Sequence, residues 1–178
     1  MIVTLIGYRG CGKSSVGPVL AELLNCTCVD SDDEVEARAG KSIAAIFAED
    51  GESVFRKMET EVLAHLFSKP NHIIAAGGGA VLAEVNRQRM RQAGPVVWLN
   101  VSAETLASRI YGDSASPTRR PSLTGKSIEE EVAEVLQNRL PLYRDAATIT
   151  VAADEAGPDE IARTVRSLVV DAASGASS

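Results

Sequence analysis

Aromatic residues are scarce, making up 4% of the 178 positions, so Val, Leu, Ile and Ala must fill the core. The three cysteines, Cys11, Cys26 and Cys28, are odd in number and have no C-x-x-C pair or distant Cys/His partners. A disulfide framework and a zinc site are thereby excluded, and all three read as reduced thiols, Cys26 and Cys28 on one face of a strand. No run reaches the roughly 18 consecutive apolar residues of a membrane span, and Met1 leads into a glycine loop without a cleavable signal pattern. These two absences give the expectation of a cytoplasmic protein with no membrane partner. Basic excess is also lacking. Lys and Arg number 18 against 24 Asp and Glu, a net charge of −6, and the pI is near 5.0. That is the wrong sign for coating a nucleic-acid backbone, although a local basic pocket remains compatible with it.

What is present is the composition of an ordinary globular domain, 45% hydrophobic and 24% charged. A chain of this size can bury roughly 70% of its unfolded surface without staples. Short apolar runs at 1–6, 26–29, 72–76, 96–101 and 148–151 predict strands, the second ending in Asp30. Between them, helical spacing or capping patterns predict helices over 13–24, 32–39, 42–48, 51–67, 84–93, 103–111, 127–143 and 158–170. Ser31 with Glu34 and Ser127 with Glu130 are capping-box pairs. The stretch 112–125 is rich in turn formers and basic residues and has no hydrophobic period, which predicts a mobile surface loop. This alternation predicts one three-layer α/β domain over 1–172, with a mainly parallel sheet, ligands at the carboxyl ends of its strands and a flexible tail at 173–178.

Gly7-Tyr8-Arg9-Gly10-Cys11-Gly12-Lys13-Ser14 fits G-x-x-x-x-G-K-[ST] and lies between a predicted strand and a predicted helix, the context the motif requires. Glycines let the backbone curl its N–H groups around phosphate, and the helix N-terminus adds a positive dipole end. Gly10, Cys11, Gly12, Lys13, Ser14 and Ser15 are the expected phosphate-binding residues, with Lys13 on the β- and γ-phosphates and the Ser14 hydroxyl on Mg²⁺. N-K-x-D is absent, as is a D-x-x-G after a strand, which argues against a GTPase.

Asp30-Ser31-Asp32 falls at the ligand-facing end of the second strand, where an acid can accept a proton or steer Mg²⁺ through water. The same carboxylates would also suit a helix N-terminus. Gly77-Gly78-Gly79 after a strand is costly in backbone entropy, and close approach of a ligand would explain it. Arg56, Arg119, Arg120 and Arg139 are cations suited to phosphate or carboxylate, or to solvent.

Taken in order, the P-loop, Asp30-x-Asp32, Gly51-Glu52-x-x-Phe55-Arg56, Gly77-Gly78-Gly79-Ala80, Arg120-Pro121 and Arg139-x-Pro141-x-Tyr143 resemble the shikimate kinase family over nearly the whole chain. The resemblance implies a P-loop kinase fold with a five-stranded parallel sheet in the order 2-3-1-4-5. It implies transfer of the γ-phosphoryl of ATP to the 3-hydroxyl of shikimate, in aromatic amino-acid biosynthesis; a monomer is the default expectation. Carried over, it puts Arg56 and Arg139 on the acceptor carboxylate, and Asp32 with Gly77, Gly78 and Gly79 on the ring hydroxyls. Asp32 becomes the base, Lys13 and Arg120 neutralise the moving phosphoryl group, and Ser14 binds Mg²⁺ directly while Asp30 holds it through water. Arg109 and Pro158 match adenine-binding positions, 31–67 the acceptor-binding helices and 112–125 a lid. This chain departs from the family pattern in a longer stretch before Arg120, the tandem Arg119 and the pair Ser122-Leu123. A kinase for another polyol acid such as gluconate, and a nucleotide-dependent regulatory module, are the competing readings.

Overall fold

The computed structural model describes residues 1–112 and 127–175. Strand β1 (Ile2–Ile6) is apolar except for the buried Thr4 because it is the middle of a five-stranded, all-parallel sheet ordered β2-β3-β1-β4-β5. Its partners are β3 (His72–Ala75), with Leu5 opposite Ala75, and β4 (Val96–Asn100), with Leu5 opposite Val97. Strands β2 (Thr27–Asp30) and β5 (Ile149–Ala152) form the edges. The sheet order implied by the resemblance is therefore the observed one.

Helix α1 (Lys13–Leu24) covers one face and packs against α8 (Pro158–Gly175); Val16 and Leu20 of α1 and Ile161, Val165 and Val169 of α8 belong to the same core. The other face carries α5 (Glu84–Ala93), α7 (Ile128–Ala146) and the 3₁₀ turn Ala80–Leu82. Trp98 of β4 stacks on Tyr143 of α7 there, with ring centroids 5.7 Å apart. Helices α2 (Ser31–Ala39), α3 (Ile43–Glu49) and α4 (Glu52–Phe67) are inserted between β2 and β3, and α6 (Ala103–Gly112) follows β4. Among the described residues no helix is long and apolar enough to cross a membrane.

Most element ends fall within one residue of the expected ranges; α7 runs three residues further, to Ala146, and two other termini differ in an informative way. Helix α2 starts at Ser31, and its cap is Asp30, whose carboxylate accepts from the Asp32 N–H at 2.8 Å. Ser31 is not the capping residue because its hydroxyl is used inside the core. Helix α8 runs to Gly175, taking in Ala172 and Ala173, which have high helix propensity, and so includes the first residues of the expected tail. The remainder of that tail, 176–178, and nearly all of the expected loop, 113–125, lie outside the described residues.

Candidate active site

Parallel topology brings the C-terminal ends of β2, β3 and β1 to one edge, so the P-loop, Asp30 and the triple glycine meet there. The P-loop holds its curl with Gly7, Gly10 and Gly12 at positive φ of 143°, 80° and 102°. Gly7 is constrained further, since a Cβ on it would stand 2.7 Å from Cys11 Sγ and 2.8 Å from the Leu99 carbonyl oxygen. Lys13 Nζ spans the loop, donating to the carbonyls of Gly7 at 2.8 Å and Tyr8 at 3.1 Å.

Ser14 Oγ donates to Asp30 Oδ2 at 3.3 Å, which joins the start of α1 to the end of β2. Burial pushes the Asp30 carboxyl above the usual range; the neighbouring Asp32 and Asp33 add to this, while Lys13 and the Asp32 amide oppose it. The Ser14–Asp30 pair supplies one hydroxyl and one carboxylate, hard oxygen donors of the kind Mg²⁺ takes when water and phosphate complete its shell.

The other side of the site is built around the triple glycine. Ser31 Oγ accepts the Gly77 N–H at 2.9 Å, fixing the loop to the start of α2 and setting Asp32 beside it. A Cβ on Gly77 would lie 2.5 Å from Asp32 Oδ1 and 2.9 Å from Glu59 Oε1, so any side chain there would displace both carboxylates. At Gly79 a Cβ would meet the Arg56 guanidinium at 2.5 Å. Arg56 is in turn held by Glu59 at 2.9 Å and Glu52 at 3.1 Å, with its guanidinium carbon 5.0 Å from the centroid of the Phe55 ring. The Gly78 carbonyl accepts from Tyr143 Oη at 2.8 Å and from Arg139 at 3.1 Å. Burial drives the Tyr143 phenol far above its ordinary value, so it stays a neutral donor.

Arg109 donates to the carbonyls of Ala153 and Asp154, each at 2.9 Å, and to that of Gly10 at 3.4 Å, bridging the P-loop and the segment between β5 and α8. Pro158 is exposed at the first position of α8. The structure thus brings together Lys13, Ser14, Asp30, Asp32, Arg56, Arg139 and the three glycines; Arg119 and Arg120 lie outside the described residues.

The comparisons with known proteins bear on the same arrangement. A model described as shikimate kinase matches residues 9–169. The chain belongs to the shikimate kinase family. A shikimate kinase of Rhodopirellula baltica is 44% identical over 157 residues, covering 88% of this chain and 84% of that one. A shikimate kinase 2 of Sodalis glossinidius is 39% identical over 170 residues, 96% of this chain and 97% of its own. Among solved structures, a shikimate kinase from Acinetobacter baumannii in complex with shikimate superposes with a TM-score of 0.89 at 35% identity, covering 96% of this chain and 93% of that one. Like its family, this shikimate kinase homologue is an ATP-dependent kinase.

Two buried carboxylates of the site, Glu59 and Glu131, and the P-loop Arg9 were missed by sequence reasoning. Glu59 had a signal: it sits in the apolar stripe Phe55, Glu59, Val62, Leu66, where a lone acid needs a buried partner. Glu131 is one of three consecutive glutamates, and nothing in that run marks which of them turns inward.

Proposed function

We propose that this chain transfers the γ-phosphoryl of ATP to the 3-hydroxyl of shikimate, giving shikimate 3-phosphate and ADP. The observation that carries this reading is the placement of two guanidiniums, Arg56 and Arg139, against a glycine loop that adjoins both Asp32 and the P-loop. A planar carboxylate suits guanidinium forks, and a ring hydroxyl suits an aspartate acceptor.

In this reading Arg56 and Arg139 hold the acceptor carboxylate, while Asp32 and the loop of Gly77, Gly78 and Gly79 orient the ring hydroxyls. The acceptor oxygen forms a bond to the γ-phosphorus as the bond from that phosphorus to the bridging oxygen of ADP breaks. The hydroxyl proton passes to the Asp32 carboxylate. Gly10, Cys11, Gly12, Lys13, Ser14 and Ser15 hold the phosphates, and the Lys13 ammonium, with Arg120, offsets the charge that spreads over the transferring oxygens. Ser14 would hold Mg²⁺ directly and Asp30 through water; when bound, the ion neutralises phosphate charge. Arg109 and Pro158 flank the adenine. Little covalent work falls to the protein, so positioning dominates.

The same reading makes the protein a cytoplasmic monomer, checked by light scattering on the eluting protein and by cell fractionation. The decisive test is ADP release with ATP and Mg²⁺ in the presence of shikimate, quinate, gluconate or no acceptor. Stimulation by shikimate alone is the expected result. Stimulation by gluconate instead, or by no acceptor while ATP still binds, overturns the acceptor assignment.

A further inference from the structure

The P-loop and α7 are joined directly by an ion pair, Arg9 to Glu131 at 3.1 Å, whose side chains are 21% and 3% exposed. The guanidinium carbons of Arg9 and of Arg139, from the same α7, lie 6.0 and 5.7 Å from the centroid of the buried Tyr8 ring. Between P-loop and helix sits Gly78. A Cβ there would be 3.4 Å from the Arg9 amide nitrogen and 3.6 Å from the Gly7 carbonyl oxygen, while its own carbonyl is held by Arg139 and Tyr143. The acceptor loop is therefore gripped by the phosphate loop on one side and by α7 on the other.

We propose that Arg9 and Glu131 are positioning residues for phosphoryl transfer, forming a strut that sets the distance between the phosphate loop and the arginine holding the acceptor carboxylate. The inference rests on the acceptor reading given above. Its physical basis is that both ends of the strut belong to site elements: Arg9 lies four residues before Lys13 in the P-loop, and Glu131 two turns before Arg139 on one face of α7. Arginine is suited to the task because its rigid fork can engage a carboxylate while its plane lies over a ring, which a lysine cannot reproduce. A pair of opposite charges this close also keeps the Arg9 charge from competing with Arg139 for the acceptor anion.

Removing only one partner breaks a part-buried ion pair, so folding and positioning have to be separated. The test compares Arg9→Met, Arg9→Lys and Glu131→Gln with the double variant Arg9→Met/Glu131→Gln, which removes both charges of the pair together. Each is assayed for thermal midpoint, ATP affinity, acceptor KM, kcat and the ratio of ADP released to phosphorylated acceptor formed. A strut predicts that the double variant regains the wild-type midpoint and ATP affinity. Its acceptor KM still rises, or its kcat still falls, by about tenfold, the range expected when coupled site residues are separated. ADP release should also exceed product formation, and Arg9→Lys should recover part of the loss. A double variant with wild-type acceptor KM, kcat and ADP-to-product ratio would overturn the inference, since a merely structural pair recovers function together with stability. If the wild-type protein itself fails to phosphorylate shikimate, the acceptor reading falls, a result distinct from wild-type activity that the variants leave unchanged.

Discussion

Ser31 and Gly77, 46 positions apart in sequence, are joined by a buried hydrogen bond of 2.9 Å from the Gly77 amide to the Ser31 hydroxyl. This bond ties the turn before Asp32 to the turn that carries Gly78 and Gly79. Ser31→Ala strands the buried Gly77 amide, at a cost of about 1–3 kcal/mol. We expect a lower midpoint in urea unfolding together with a higher acceptor KM. An unchanged midpoint would show that the amide finds another acceptor.

Gly79→Ala tests the Arg56 side of the same loop. The added methyl meets the Arg56 guanidinium, at 2.5 and 2.7 Å from its nitrogens and 2.8 Å from its carbon, but no backbone. Moving Arg56 aside breaks its pair with the buried Glu59 carboxylate, so the thermal midpoint should fall as well, although the backbone fold is kept. Acceptor KM should rise at least tenfold because the guanidinium is displaced, while ATP affinity, measured by calorimetry, is retained.

Asp30 yields a prediction about pH. Its folded-state pKa is raised by burial, so the folded protein binds more protons than the unfolded chain once pH climbs past the ordinary carboxylate value. Any stability conferred by protonated Asp30 is complete below that value and is lost as pH rises through the elevated one. Asp30→Asn keeps an oxygen to cap the Asp32 amide and removes the charge. At pH 7 its melting temperature should equal or exceed that of the wild type, and the gap should close toward pH 4, while turnover falls by at least tenfold. A melting temperature well below wild type at pH 7 would contradict this sign.

Arg109 is the prediction for the nucleotide side. Its guanidinium holds the carbonyls of Ala153, Asp154 and Gly10. Arg109→Met should raise the KM for ATP severalfold and leave the acceptor KM within about twofold, by steady-state kinetics in which each substrate is varied in turn.

The fold was legible because each strand is a short apolar run and each helix an amphipathic period, and β1 with its glycine loop announced a parallel sheet. The P-loop was equally legible, because G-x-x-x-x-G-K-S requires contiguous residues. The grouping of Asp32, Arg56 and Arg139 around the glycines was expected only through resemblance. Arg56, Gly79 and Arg139 come from three separate elements, and no local pattern records that Gly79 lies against one arginine while Arg139 binds the carbonyl of Gly78. Ser31 shows the limit most clearly. Its spacing to Glu34 satisfies a capping pattern, yet the folded chain gives that task to Asp30 and turns the serine toward a glycine distant in sequence.

The register of β1 against β3 places Leu5 opposite Ala75, one or two residues before each strand gives way to its functional loop. Strand residues advance about 3.3 Å each, which exceeds the tolerance of any hydrogen bond in the site. The sheet is therefore a gauge as well as a support. Two loops that never share a local motif are held to a common zero by one row of backbone amides. Substitutions at Leu5 or Ala75 that merely loosen that row act on the alignment of donor and acceptor, the quantity on which the reaction depends most steeply.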